Sequence, residues 1–136
     1  LLTRPSRLVD LAKRLEEYPD LDVVIDHMAD CHPDDEKGIA HLLDLAKFPR
    51  VYVKISHTWS ISKEEYPWKD THDLVQRVYQ AFGPERIMCS TDWPVCLDRA
   101  TYGQTLSVVR DEMTFFTPED LEWVLGKTAL KLWTFG

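Results

Sequence analysis

Residues 86–94 read Arg-Ile-Met-Cys-Ser-Thr-Asp-Trp-Pro, an apolar run that changes abruptly into hydroxyl groups, a carboxylate and a Trp-Pro pair. Two other runs have the same form: residues 23–27 end in Asp-His, and residues 51–57 end in Ser-His. Short apolar runs that are rich in β-branched residues are typical of buried strands. We therefore predict three strands, at residues 21–27, 51–55 and 86–90.

Helical patterns separate and follow these strands. Between Ser6 and Pro19 the apolar residues recur at helical spacing, and Thr71 is placed to cap the helix that Gly83-Pro84 ends. Strands that alternate with single helices, at about 30 residues per unit, indicate βαβ crossovers and a parallel sheet. The sequence thus predicts an α/β fold. The further predicted helices cover residues 38–47, 102–114 and 127–133, with another helix beginning at Thr117-Pro118.

Polar side chains that follow parallel strands come together at one edge of the sheet. We therefore expect His27 and Asp92 to approach each other although they are distant in sequence. Side chains alternate between the two faces of a strand, so Lys54 lies opposite the branched residues of its strand and needs a counter-charge. Asp26 or Asp92 could supply it. The same alternation places His27 on the face of Ile25.

Composition excludes some functions. The chain has 136 residues and a formal net charge of −7, with no Lys/Arg-rich run, so we expect no nucleic-acid partner. The apolar runs are shorter than the roughly 20 residues that span a bilayer, so no membrane partner is expected. Three cysteines without C-x-x-C spacing favour a reducing, cytoplasmic location over a disulfide framework. The loop at residues 28–35 contains no glycine, which disfavours a nucleotide-binding α/β domain.

Three motifs together resemble the amidohydrolase-related family of metal-dependent hydrolases. They are Val-Val-Ile-Asp-His (23–27), Val-Tyr-Val-Lys-Ile-Ser (51–56) and the stretch at 86–94, and the tail Gly-Lys-Thr-Ala-Leu-Lys-Leu-Trp (126–133) resembles the closing helix of the family. The family folds as a TIM barrel and includes lactonases and decarboxylases that act on small molecules. The resemblance implies hydrolysis of a lactone C–O bond, with decarboxylation at the same site as the alternative.

The resemblance also assigns roles to individual residues. His27 matches a family histidine that binds the metal or the substrate, and Asp92 matches the aspartate that activates water or protonates the leaving group. His27 and Asp92 are therefore the expected catalytic residues and the expected ligands of a divalent ion, Zn²⁺ or Mn²⁺, although some family lactonases need no metal. Lys54 matches a lysine whose role is structural or substrate-orienting. The expected substrate-binding residues are Lys54, His57, Trp59 and Trp93.

Two features depart from the family pattern. The sequence has no H-x-H pair, which the family carries on its first strand, and His57 stands where glycine is common, so that it could crowd the site or add a ligand. A complete barrel has eight strands and about 250 residues. We therefore expect residues 1–136 to be a single partial barrel domain, the C-terminal fragment of a longer enzyme. A non-catalytic half-barrel that self-associates through bare sheet edges is the remaining alternative.

Overall fold

The central sheet has three parallel strands in the order β1-β2-β3. The computed structural model describes residues 1–134. The strands are β1 (Val23–Ile25), β2 (Val51–Ile55) and β3 (Ile87–Cys89). The predicted parallel α/β fold is confirmed. β1 and β3 are shorter than predicted because the backbone leaves the extended conformation soon after the last paired residues.

Helical segments alternate with the strands, as predicted, but their bounds differ. The predicted helix at residues 102–114 divides into an α-helix and a π-helical segment, and the two predicted C-terminal helices are joined by a second π-helical segment. The α-helices are α1 (Leu8–Glu17), α2 (Glu36–Asp44), α3 (Thr58–Ile61), α4 (His72–Phe82), α5 (Tyr102–Ser107), α6 (Pro118–Glu122) and α7 (Thr128–Leu132). Short 3₁₀ turns lie at Pro5–Arg7, Leu45–Lys47, Lys69–Thr71, Pro84–Arg86 and Val95–Asp98, and π-helical segments lie at Val108–Glu112 and Trp123–Lys127. The turn at Asp26–Asp30 is left-handed from His27 onward.

Polar side chains cap several of these helices. The Asp35 carboxylate accepts a hydrogen bond from the backbone amide of Gly38 at 2.9 Å, so α2 begins two residues earlier than predicted. Thr117 caps α6 as predicted, with Pro118 in the first helical turn. The predicted cap at Thr71 is wrong, because its hydroxyl donates to the carbonyl of Trp68, on its N-terminal side.

The hydrophobic core lies between one face of the sheet and the helices. The branched residues of the strands, such as Ile25, Val53 and Ile87, are fully buried there. Leu42 of α2 and Leu74 of α4 belong to the same continuous cluster. Burial of this apolar area is the main stabilising contribution to the fold.

The opposite face of the sheet has a different character. Tyr52 and Met88 are buried on this face but do not belong to the continuous core, and Lys54 lies opposite Met88 in the register. Leu1 lies along the outer edge of β1, where its nitrogen donates to the Val24 carbonyl at 2.6 Å. The helix-free face therefore carries the polar groups, as the strand alternation predicts.

The three cysteines are free, and two of them are poor nucleophiles. Burial raises the pKa of Cys31 and of Cys89 to about 12, so both thiols stay protonated at neutral pH. Among residues 1–134, none of the helices has the length and apolar character needed to cross a membrane. The reducing, cytoplasmic location stays a prediction.

Candidate active site

Three candidate site residues follow the strand ends and have left-handed backbone. His27, His57 and Asp92 have φ values of 55°, 60° and 55°. Left-handed φ is unusual for residues other than glycine and often marks a functional constraint. Strand alternation does not extend to these positions, because each lies two or three residues past the last strand residue. The prediction that His27 shares the face of Ile25 is therefore wrong.

The left-handed turns bring the three side chains together. His57 Nε2 lies 2.6 Å from Asp92 Oδ2, and His27 Nε2 lies 3.9 Å from Asp92 Oδ1. The two imidazole rings are stacked, with centroids 3.6 Å apart and an angle of 3° between their planes. One donor atom from each residue lies within 4.8 Å of the others. The predicted approach of His27 to Asp92 is confirmed, and His57 joins them.

Each imidazole is held through its other ring nitrogen. His27 Nδ1 is hydrogen-bonded to the hydroxyl of Ser56 at 2.7 Å. His57 Nδ1 is hydrogen-bonded to Asp30 Oδ1 at 3.0 Å. In both residues the Nε2 atom is thus the one that faces Asp92, which is the arrangement of histidines that bind metal ions.

Burial sets the protonation of one histidine. It lowers the pKa of His27 below its ordinary value, the neighbouring His57 acts in the same direction, and the carboxylates of Asp92, Asp30 and Asp26 oppose them. His27 is therefore neutral at neutral pH, with a ring nitrogen that can act as a ligand or accept a hydrogen bond. The side chain of His27 is only 12% exposed.

Lys54 lies beside this cluster and pairs with a different carboxylate. Its Nζ atom is 2.7 Å from Asp26 Oδ1, which settles the choice that the sequence left open between Asp26 and Asp92. Burial raises the pKa of Asp26, but the hydrogen bond and the charge of Lys54 act in the opposite direction, and the pKa lies below its ordinary value. Asp26 is therefore ionised at neutral pH and serves as the counter-ion of Lys54.

The two predicted tryptophans occupy different environments. Trp59 is buried, and its ring meets the ring of His57 edge-on, with centroids 5.1 Å apart. The buried Nε1–H of Trp59 has no hydrogen-bond acceptor within the part of the chain that the structure describes. Trp93, next to Asp92, is 63% exposed. Only Trp59 therefore packs against the cluster.

Sequence reasoning missed the role of Asp30 and did not assign Ser56 to the site. Both touch the cluster only through histidine Nδ1 atoms. Ser56 closes the second motif of the sequence analysis, whereas Asp30 belongs to none of the three motifs. One feature of the sequence could have indicated Asp30. If one ring nitrogen of His57 faces Asp92, the N–H of the other ring nitrogen needs a hydrogen-bond acceptor. A carboxylate three residues after His27 is a candidate for that acceptor.

Comparison with known proteins supports these observations. A family model described as amidohydrolase matches residues 1–135. The chain is similar to an L-fucono-1,5-lactonase of Burkholderia multivorans, with 33% identity over 75 residues that cover 52% of this chain and 25% of that protein. It is also similar to a 4-sulfomuconolactone hydrolase of Hydrogenophaga intermedia, with 30% identity over 87 residues, or 62% of this chain and 28% of that protein.

Solved structures show the same fold over a greater length. An amidohydrolase from Burkholderia multivorans with bound zinc superposes with a TM-score of 0.85 and 24% identity, covering 96% of this chain and 50% of that one. An amidohydrolase from Bifidobacterium longum subsp. infantis gives a TM-score of 0.73 and 28% identity, covering 95% and 46%. The chain spans about half of the solved structures, and its matches span about a quarter of the curated relatives. The open sheet is therefore part of a TIM barrel, as predicted.

Proposed function

The chain belongs to the amidohydrolase family, and from that membership we propose that it carries the active-site edge of a hydrolase that opens lactones. The observation that carries the proposal is the cluster of His27, His57 and Asp92, whose donor atoms lie within 4.8 Å of one another at the strand ends. Two relatives named for lactone hydrolysis support the choice of substrate class. In this proposal residues 1–136 are the C-terminal part of one barrel domain.

The donor set fits a divalent metal ion. Two imidazole nitrogens and a carboxylate oxygen are ligands that zinc accepts, and catalytic zinc sites use three protein ligands with one open position. Imidazole and carboxylate groups also suit Mn²⁺. His27, His57 and Asp92 would hold the ion. When bound, such an ion polarises a carbonyl oxygen and lowers the pKa of water toward neutrality.

Asp92 is the proposed general base. Its carboxylate takes a proton from the attacking water as the new C–O bond forms at the lactone carbonyl. The ring C–O bond then breaks, and the same proton passes to the departing alkoxide, so the product is a hydroxy acid. Without a bound ion, His57 Nε2, 2.6 Å from Asp92, fixes the direction of the carboxylate. If the enzyme works without a metal, His27 and His57 bind the lactone oxygens directly.

The remaining predicted residues have proposed roles in substrate binding. The Nε1–H of Trp59 is a buried donor that a substrate oxygen would satisfy, since an unpaired buried donor is costly. Lys54 orients the substrate from the helix-free face while Asp26 neutralises its charge. Trp93 offers an exposed apolar surface next to Asp92.

An assay on the full-length protein that contains this chain tests the proposal. The purified protein, with Zn²⁺, with Mn²⁺ or with a chelator, is given sugar-acid 1,5-lactones and muconolactones, and acid release is followed with a pH indicator. We expect turnover that Asp92→Asn reduces by about 10² to 10⁴. The matched control is Asp98→Asn, an exposed carboxylate in the same loop.

Two results would contradict lactone hydrolysis. One is equal turnover by the wild type and by Asp92→Asn. The other is release of CO₂ from aromatic carboxylic acids without opening of any lactone, which would assign the site to decarboxylation instead.

Self-association is a second proposal, for the isolated chain. Within residues 1–134 the outer edge of β3 pairs with no further strand. Trp93, Val95 and Leu97, which follow β3 in the chain, are all more than half exposed. Unpaired edges favour pairing with another chain. Sedimentation velocity on residues 1–136 should show species larger than a monomer; a stable, compact monomer at all concentrations would rule the proposal out.

A further inference from the structure

We infer that Asp30 is a positioning residue that makes His57 a metal ligand. Asp30 fixes which ring nitrogen of His57 carries the proton and holds the ring where its other nitrogen meets His27 and Asp92. The inference rests on the metal site of the proposed function and adds to it a residue outside the ligand set.

The hydrogen bond between Asp30 and His57 determines the tautomer. The two atoms, Oδ1 and Nδ1, are 3.0 Å apart. An ionised carboxylate can only accept hydrogen bonds, so Nδ1 of His57 must carry the proton. A bound metal ion would then take the lone pair of Nε2 in place of the hydrogen bond of 2.6 Å that Nε2 makes to the Asp92 carboxylate in this structure. A carboxylate behind a ligating histidine fixes its orientation and raises its basicity.

The backbone explains how one short segment supplies one ligand, His27, and the support of the other, His57. Residues 27–30 all have left-handed φ values, from 51° to 58°. In such a turn, residues three positions apart lie on the same side, so His27 and Asp30 both face the cluster. The two residues between them, Met28 and Ala29, are fully buried in the core. The core therefore anchors the turn that carries Asp30.

Each of the two strand ends supplies the hydrogen-bond partner for the histidine of the other. His27 follows β1 and is held by Ser56 from the end of β2, whereas His57 follows β2 and is held by Asp30 from the end of β1. These crossed hydrogen bonds keep the rings stacked at 3.6 Å. Only one of the two supports is charged, so we expect His57 to be the more strongly polarised ligand.

Titration with Co²⁺ as a spectroscopic probe tests the inference on the full-length protein. We expect Asp30→Asn to weaken Co²⁺ binding by about 10- to 100-fold, the usual effect of losing a group that supports a ligating histidine. Asparagine tolerates left-handed backbone, so the variant should fold. The matched control is Asp34→Asn, an exposed carboxylate in the same loop whose partner is Lys63.

A second measurement separates positioning from a merely structural role. Nitrogen-15 NMR of the zinc-loaded protein reports which ring nitrogen of His57 carries a proton. We expect the proton on Nδ1 in the wild type and a mixed or reversed tautomer in Asp30→Asn, with the thermal unfolding temperature of the metal-free variant near that of Asp34→Asn.

The outcomes are distinct from those of the lactone assay. Unchanged Co²⁺ affinity in Asp30→Asn, or a His57 proton on Nε2 in the zinc-loaded wild type, overturns the inference. A wild type that binds no Co²⁺ overturns the inference and also the metal-dependent form of the proposed function. Normal Co²⁺ binding with the expected loss in Asp30→Asn, but no lactone turnover, supports the inference and rejects only the substrate class.

Discussion

The helix-facing side of the sheet and the edge at its strand ends differ in backbone conformation and in the kind of side chain that they carry. On the helix-facing side, residues such as Ile25, Val53 and Ile87 are fully buried in regular extended backbone. At the strand ends the chain places its polar and ionisable groups, and His57 and Asp92 take up a left-handed conformation that their side chains disfavour. Stability is thus concentrated in one region and candidate chemistry in the other.

The strained edge depends on the buried face. A left-handed conformation costs roughly 1–2 kcal/mol for each residue other than glycine, and residues 27–30 form an unbroken left-handed run. Met28 and Ala29 within this run have no exposed surface. Burial of these two side chains offsets part of the strain. The site geometry can therefore persist although the local backbone preferences oppose it.

The largest expected effect comes from the core. Leu42→Ala removes a fully buried side chain of α2 and should lower the free energy of unfolding by about 2–5 kcal/mol. Co²⁺ affinity of the folded protein should not change, because Leu42 belongs to the hydrophobic core and is not one of the groups that hold the candidate metal ligands by hydrogen bonds. Urea denaturation and metal titration measure the two quantities.

Leu130→Ala, at an exposed position of α7, is the control and should change stability by no more than about 0.5 kcal/mol. A loss of metal affinity without a loss of stability would contradict the separation of the two regions.

Ser56→Ala tests a residue that belongs to both regions. Ser56 is buried, and its hydroxyl is the partner of His27 Nδ1. Removing the hydroxyl leaves a buried ring nitrogen unpaired, which should lower the free energy of unfolding by about 1–3 kcal/mol and weaken metal binding by about tenfold. The control is Ser60→Ala in α3. If Ser56→Ala behaves like Ser60→Ala in both measurements, the hydrogen bond does not support the site.

His57→Gly should separate stability from metal binding most sharply. Glycine adopts the φ of 60° at this position without strain, so about 1 kcal/mol is gained. Loss of the ring stacking on His27 removes a similar amount. The partly exposed carboxylates of Asp30 and Asp92 exchange their hydrogen bonds to His57 for hydrogen bonds to water. We expect unfolding free energy within about 1 kcal/mol of the wild type and at least about tenfold weaker Co²⁺ binding. His41→Gly, within the regular helix α2, should instead lower stability. A large loss of stability in His57→Gly would show that the contacts of the His57 side chain outweigh the strain of its backbone.

The smallest expected effect lies on the outer surface of the helices. Arg77 of α4 donates two hydrogen bonds, each of 2.9 Å, to the Glu36 carboxylate of α2 and thereby lowers the pKa of Glu36. A lowered carboxyl pKa in the folded state stabilises the protein above the unfolded pKa, and the contribution disappears as pH falls through the folded pKa. Glu36→Gln should therefore be slightly less stable than the wild type at neutral pH, and the difference should vanish in acid.

Thermal unfolding at several pH values measures this difference. Glu16→Gln, at an exposed position of α1, is the control. A difference that grows as the pH falls would contradict the sign.

The sequence by itself was sufficient for the architecture and the chemical inventory. Three short apolar runs separated by helical patterns indicated a parallel sheet, since strand-forming runs and helical spacing are local properties. The placement of His27 and Asp92 after strands indicated one shared edge, because parallel strands end on the same side. The motifs around these residues also indicated the family that the comparisons bear out.

Only the tertiary structure decided how the groups meet. Alternation along an extended strand would place His27 on the helix-facing side. The left-handed turn places it beside Asp92 instead, although left-handed backbone is unfavourable for the residues that form this turn. The partner of Lys54 is Asp26 because β1 and β2 are neighbours in register, so adjacent side chains on one face come into contact. The role of Asp30 depends on the same turn. Packing of the core imposes these conformations, and no local sequence preference predicts them.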